Sequence, residues 1–357
     1  MKSAKPVPKA KRRAVTAQRP TIRDVSRLAG VSGMTVSRVV RDLGPVLPAT
    51  RARVHKAIDH LGYVRDRAAG SLVSRRSGFI ALIVPTLTNS NFSAVAHGLT
   101  DTLRAADFDL LIAYTDYSVS EEARQLRNLL ARRPEAIILT GVVHSRAASR
   151  MLLAADIPVV EIADLPRRPI EHAVGFSNYQ VGRTAARYLF DMGFRRIGAA
   201  ASSGKGDVID HRGEERMRGF EDELRLCGIA TDLVLRHGKA PVSYDHGAAA
   251  VAILLERDPQ LQALFAVSDL SAIGVVMECQ RRGVDVPRDL SVMGFGDFEI
   301  GREINPPLTT VHVDFRALGC RTGELIRGLL SPGASEDPCI IDVGLEIVER
   351  GSVVSRA

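Results

Sequence analysis

The residues of this chain whose types and spacing could do chemistry begin at Thr21–Arg41, TIRDVSRLAGVSGMTVSRVVR. Arg38 is long, forked and permanently charged, which suits a paired contact to guanine O6 and N7. Thr21, Ser32, Thr35 and Ser37 carry short hydroxyls. Together with helix N-termini they suit phosphate oxygens, which set register without reading bases. For such groups to converge, the stretch must fold as two short helices around a tight turn. Thr21 predicts an N-cap with Asp24 reaching back to it, and Ile22, Val25 and Leu28 or Ala29 share one face. Gly30 ends the first helix in a left-handed position that costs glycine little. Ser32 caps the second, turning Val36, Val39 and Val40 inward and Gly33, Met34, Ser37 and Arg38 outward. A third helix is predicted from a Thr50 cap, with Val54, Ile58 and Leu61 at helical spacing and Gly62 after it. Three such helices form a helix-turn-helix whose second helix enters the major groove. An A-G-V-S turn also occurs in plain helical packing, so the surrounding charge has to decide.

Charge favours a polyanion at one end only. Residues 1–77 hold 18 Lys and Arg against 4 Asp and Glu, whereas the rest holds 30 against 37. A basic first segment on an acidic body is an electrostatic footprint for nucleic acid. The length of 357 residues and the 45% hydrophobic content allow two or three domains with sizeable cores. No apolar run approaches about 18 residues, which argues against a membrane span. The basic N-terminus lacks an apolar h-region, and Cys227, Cys279, Cys320 and Cys339 are scattered without a C-x-x-C pair. A cytoplasmic protein with reduced thiols, no metal site and no cofactor is expected. Enzyme signatures are poor. GAAASSGK (198–205) has five residues between its glycines and Gly206 where Ser or Thr should follow, and GKGDVI lacks the third glycine of a dinucleotide loop.

From about residue 20 onward the chain resembles the LacI family of bacterial transcription repressors. The resemblance rests on TIRDVSRLAGVSGMTVSRVVRD and on RARVHKAIDHLGYVRDRAAGSLVSRRSGFIALIVP. Met34, IILTGVVHS, IPVVEIAD, AVGFSNYQVGR and ECQRRGVDVPRDLSVMGF resemble its gluconate-utilisation repressors. The resemblance implies an N-terminal all-α helix-turn-helix headpiece plus an α/β two-lobed periplasmic-binding-protein-like core. Four segments are expected: a disordered basic arm over 1–19, the DNA-binding domain over 20–64, a hinge over 65–77, and an effector-binding and dimerisation domain over 78–350. The family's base-reading positions fall on Gly33, Met34 and Arg38, Gly33 departing from a usual bulkier residue. In the hinge, RDRAAGSLVSRRS, Asp66 and Arg67 join the DNA contacts. Leu72 takes the place of a minor-groove wedge that kinks the duplex. Asp66 replaces a usual Asn, and Gly70 weakens a hinge helix by roughly 1 kcal/mol. The implied partners are double-stranded operator DNA, a small sugar or sugar-acid effector, and a second copy of the chain in a homodimer.

The body alternates apolar strands with amphipathic helices, which implies parallel sheets. Strands are read at 79–85, 108–114, 136–140, 157–163, 173–176, 195–201, 263–269, 290–295 and 309–313. Nine strands overfill one sheet, so two lobes are expected, with crossovers near 175–178, 306–310 and 333–336. Ligands in such sheets sit beyond strand carboxyl ends, between the lobes. That rule nominates Thr86, Asn89, Phe92, His144, Glu161, Asp164, Ser177, Asn178, Asp269 and Asp297. Arg216, three residues before Gly219-Phe220, matches the family's effector-binding arginine. A guanidinium clamping a carboxylate, with short polar groups taking hydroxyls, suits a polyhydroxylated acid. Many sugar-binding relatives carry Asp where Gly296 stands, and losing that carboxylate favours an anionic ligand. The implied mechanism is induction: effector closes the lobes, the paired hinges part and operator affinity falls. A phosphorylated or neutral sugar is the alternative effector. A sugar-binding transport component is the alternative class, and the basic headpiece contradicts it.

Overall fold

The computed structural model describes residues 19–64, 77–204, 206–335 and 337–356. The hinge contacts Asp66, Arg67 and Leu72 lie outside these residues, as does all but Arg19 of the basic arm. The chain divides into two compact units, on either side of the boundary between Arg76 and Ser77.

The first unit packs α1 (Ile22–Ala29), α2 (Gly33–Arg41) and α3 (Pro48–Leu61). Its core is Val25, Ala29, Val36, Val39, Val54 and Ala57, with Ile58 and Leu61 partly buried against it. The caps follow the sequence. The Asp24 carboxylate accepts from the Thr21 N–H at 2.9 Å and hydroxyl at 2.7 Å, and Ser32 accepts from the Thr35 N–H at 3.1 Å. Gly30 sits at φ 64. One expectation is corrected: α3 starts at Pro48 after an N-cap at Leu47, and Thr50 lies within its first turn. Proline's fixed φ and missing N–H suit a first helical position, which lets the helix begin before the polar cap candidate.

The second unit holds two six-stranded sheets. The first contains β1 (Phe79–Val84), β2 (Asp109–Tyr114), β3 (Ile137–Thr140), β4 (Val159–Ile162), β5 (His172–Gly175) and β11 (Ile340–Asp342), ordered 11-5-4-3-1-2. The second contains β6 (Ile197–Ser202), β7 (Val234–His237), β8 (Ala263–Ala266), β9 (Ser291–Phe295), β10 (Thr309–His312) and β12 (Glu346–Val348), ordered 12-10-9-8-6-7. All pairings are parallel except β10 with β12. Central β1 is apolar throughout because helices cover both its faces. α4 (Ser90–Leu103), α5 (Val119–Leu130), α6 (Arg146–Leu153) and α11 (Phe315–Leu329) flank the first sheet. α7 (Asn178–Asp191), α8 (His211–Leu226), α9 (Tyr244–Arg257) and α10 (Asp269–Arg282) flank the second.

β7, β11 and β12 were not read from the sequence. Each is only three or four residues long at or beside a sheet edge, too short to show a period. The crossovers are corrected accordingly. The chain passes between sheets at 176–177 as expected, but its other passages lie at 313–314 and 343–345. Phe176, Phe295 and Phe315 pack beside these passages with ring centroids 5.7 to 6.3 Å apart. One apolar core therefore runs from lobe to lobe.

Candidate functional sites: a base-reading helix and an interlobe cleft

On α2 the outward face is the expected one. Met34 is 67% exposed, Arg38 is exposed, and Gly33, Thr35 and Ser37 are half-buried beside them. A Cβ at Gly33 would meet nothing within 4 Å, so helix packing does not require glycine there. The Thr21 hydroxyl is already engaged by Asp24, and the Ser32 hydroxyl is shared with Thr35 Oγ1 at 2.9 Å. These two residues hold helix N-termini in shape as well as presenting oxygens.

Between the lobes lies a cleft of about 580 Å³. It is built around α8. Two glycine crossings set that helix against α7: a Cβ at Gly182 would strike the Arg216 carbonyl, and one at Gly219 the Tyr179 carbonyl. Asp210 caps α8, accepting from the Gly213 N–H at 3.0 Å. Arg216 then projects into the cleft, 6% exposed, its guanidinium carbon 4.4 Å above the Phe295 ring. Its Nη1 donates to Asn178 Oδ1 at 2.5 Å, and Asn178 is oriented by its own bond to the Ala163 carbonyl at 3.0 Å. Nη2 stands 3.9 Å from Asp210, and Nε makes no hydrogen bond. Burial pulls the Arg216 pKa down to about 10, against the opposing pull of Asp210. A guanidinium so desolvated is still a cation at neutral pH, and Asp210 at 3.9 Å pairs with it only at the edge of ion-pair range.

Arg212, one turn earlier, is 9% exposed, lies 5.3 Å over the Phe92 ring and bonds the Tyr117 phenol. Burial and the nearby Asp210 push that phenol's pKa upward, so Tyr117 stays protonated. Thr86, Thr88, Asn89, Asn91 and Ser268 add short polar groups to the wall, and Phe92, Phe176, Phe298 and Phe315 add apolar surface.

Of the residues nominated from sequence, Thr86, Asn89, Phe92, Asn178 and Arg216 line this cleft. Four others are taken up elsewhere. His144 bridges Glu122 at 3.0 Å and Glu161 at 3.3 Å inside the first lobe, with its side chain 3% exposed. Burial alone would lower the His144 pKa, but the two carboxylates raise it to about 9. Glu161 also accepts from the Ile170 N–H at 2.7 Å. Asp269 is wholly buried and accepts from the Phe298 N–H at 2.8 Å and the Thr310 hydroxyl at 2.7 Å. Asp297 is held by Arg350 at 2.5 Å and Arg302 at 2.7 Å. Position after a strand is thus a coarse guide, since each carboxylate found protein donors first.

Sequence reasoning missed Tyr117, Asp210, Arg212 and, apart from Phe92, the aromatic lining of Phe176, Phe295, Phe298 and Phe315. The available signal was Asp210 three residues before Gly213, a capping pattern that opens α8 and points its first turn inward. Gly296, at φ 122, faces the first lobe closely: a Cβ there would stand 2.7 Å from Asn91 Nδ2. An aspartate at 296 would crowd this approach.

A helix-turn-helix unit joined to a two-lobed sensor with a charged cleft defines a ligand-responsive DNA-binding regulator. The family comparisons agree. Residues 21–66 match the model for bacterial regulatory proteins of the lacI family, and residues 186–353 match a periplasmic binding protein-like domain. The HTH-type transcriptional regulator GntR of Pseudomonas aeruginosa is 33% identical over 94% of this chain and 96% of its own length. A Lacl family transcriptional regulator from Silicibacter pomeroyi superposes with TM-score 0.85 at 33% identity, covering 94% of this chain and 99% of that one. The regulator CelR, solved in complex with cellobiose, superposes with TM-score 0.67 at 29% identity over 94% and 100%. The chain belongs to the LacI family and is a DNA-binding transcriptional regulator. Among the described residues no helix is long and apolar enough to cross a membrane.

Proposed function

We propose that the chain is a homodimeric repressor of a carbohydrate-catabolism operon whose effector is a sugar acid such as gluconate. The observation that carries this reading is the Arg216 guanidinium, buried in the cleft with its Nε–H unpaired. A carboxylate laid against Nε and one Nη would supply the missing acceptor and neutralise a desolvated charge in a bidentate pair. Arg212 adds a second cation in the same wall, and Gly296, next to the lining Phe295, brings no carboxylate to it. Amides and hydroxyls of Asn89, Asn91, Asn178, Thr86 and Thr88 match a hydroxylated chain, and aromatic rings match its C–H faces.

On the DNA side, Arg38 and Met34 read base edges, Gly33 lets the α2 backbone approach, and Thr21, Ser32, Thr35 and Ser37 contact phosphates. Asp66, Arg67 and Leu72 complete the contact through the hinge. Effector binding draws the lobes together and parts the hinges of the two protomers, so operator and effector weaken each other's binding by one common factor. Calorimetric titration of the full chain with D-gluconate, phosphorylated sugars and neutral mono- and disaccharides tests the effector class. Gluconate binding that Arg216→Ala abolishes is the expected result. Tight binding of cellobiose or another neutral sugar in preference to any acid would overturn it.

A further inference from the structure

Two segments far apart in sequence join the lobes. Residues 115–118 lead from β2 into α5 in the first lobe, and residues 206–210 lead from β6 into α8 in the second. They pair as a short antiparallel bridge at Ser118 and Val208. The Val119 N–H donates to the Asp207 carbonyl at 3.1 Å, and the Ile209 N–H to the Tyr117 carbonyl at 3.1 Å. The Asp207 carboxylate gathers three further donors from the opposite lobe: the Ser120 N–H at 3.0 Å, the Ser120 hydroxyl at 2.6 Å and the Ser118 hydroxyl. Those bonds hold its pKa below the usual range. Asp207 thus lends its charge to the N-terminal turn of α5, where a helix dipole favours an anion.

The same two segments carry Tyr117 and Asp210 to the cleft wall, and the first turn of α8 directly after them carries Arg212. Asp116 and Tyr117 take left-handed backbone, at φ 50 and φ 62, which L residues adopt only when their surroundings compel it. Pairing with 207–209 supplies that compulsion. Opening the lobes would release the strained turn and dissolve five hydrogen bonds together, so the contact has two states and little between them.

We propose that this pairing is a latch that closes the cleft, and that its closure is coupled to effector occupancy although neither Asp207 nor Ser120 lines the effector cleft. Tyr117 and Arg212 meet only when the latch is shut, so a ligand resting against them stabilises it. The latch in turn slows the ligand's escape. The coupling half rests on the sugar-acid reading above; the latch itself does not.

The test is hydrogen exchange of the full chain without added ligand, comparing wild type with Asp207→Ala. The Val119 and Ile209 amides are diagnostic, because their acceptors are backbone carbonyls that the substitution leaves in place. At least tenfold faster exchange there, with exchange in β1 and β8 unchanged, is expected. Identical exchange at the two amides refutes the latch. Calorimetry and stopped-flow with D-gluconate then read the coupling. Asp207→Ala should bind about tenfold more weakly, the loss appearing in dissociation, while oxidised Ser118→Cys with Val208→Cys should release gluconate more slowly than its reduced form. Faster exchange with unchanged gluconate affinity and release rejects the coupling. Absence of gluconate binding to wild type rejects the sugar-acid reading, and exchange still decides the latch.

Discussion

Gly182→Ala tests whether helix crossing, and not only the side chain itself, aims Arg216. A Cβ at residue 182 would stand 2.7 Å from the Phe220 nitrogen and 2.8 Å from the Arg216 carbonyl carbon, with that carbonyl's oxygen closer still. Non-bonded heavy atoms rest about 3.5 Å apart or more, so relieving the closest contact, to the carbonyl oxygen, needs the two helices to separate by about 1.5 Å. Overpacking of this kind costs about 1–3 kcal/mol, and better helix propensity returns at most about 1 kcal/mol. Backbone atoms cannot rotate aside, which places the cost near the upper end. At roughly 2–4 °C per kcal/mol for a domain of this size, melting should fall by about 5 °C. The bond from Arg216 to Asn178, now 2.5 Å, would lengthen beyond useful range, and the guanidinium would lose its aim. Losing one charge-assisted contact of about 1.5–3 kcal/mol weakens gluconate roughly 10- to 100-fold. Scanning calorimetry and gluconate titration measure both effects. Gly328→Ala serves as the control, because a Cβ there meets nothing within 4 Å. A Gly182→Ala protein that melts and binds like wild type would refute the reasoning.

Further expectations concern single groups. Arg38→Ala should relax base preference at one operator position by about 1–3 kcal/mol, and gel shifts against operator variants returning the wild-type ranking would remove it from base reading. Gly33→Ala has open space around it and should leave melting unchanged or slightly raised; a drop of several degrees would mean glycine is needed for the fold after all. Arg216→Met keeps the apolar stem but removes the charge, so the reporter should stay repressed in the presence of gluconate, and normal induction would exclude the clamp. Two histidines set opposite pH limbs. Burial holds His246 neutral with its pKa lowered to about 4, so the unfolded chain binds the extra proton between about 4 and 6.5 and stability falls as pH drops through that window. His144 is raised to about 9 by Glu122 and Glu161 against the opposing effect of burial, so its contribution is present below 6.5 and lost as pH rises through 9. Each limb amounts to something on the order of 3 kcal/mol. His246→Gln should flatten the acid limb and His144→Gln the alkaline one in urea titrations; unchanged slopes would show the groups do not titrate as assigned.

Much of this molecule is written locally. Thr21 with Asp24, Gly30 and Ser32 define the helix-turn-helix because caps and left-handed turns act over three or four residues. The apolar runs at 79–84, 137–140 and 263–266 announce buried parallel strands because both their faces must leave water. The asymmetric charge of the two ends needs no coordinates either. Short edge strands such as β11 and β12 were illegible, since three residues carry no period and their partners lie more than 30 positions away.

The cleft was only half readable for a related reason. Where a strand ends can be seen in sequence, but which polar groups find protein partners cannot. His144 and Glu161 satisfied each other, Asp269 found Thr310 and the Phe298 amide, and Asp297 found two arginines, so all four left the ligand space. Arg216 kept an unpaired N–H there because helix packing through two glycines set its backbone before any acceptor could reach it. The latch between Ser118 and Val208 depends on loops some ninety residues apart. Local spacing decides which elements form; only the packing of distant elements decides which charges are left free to meet a ligand.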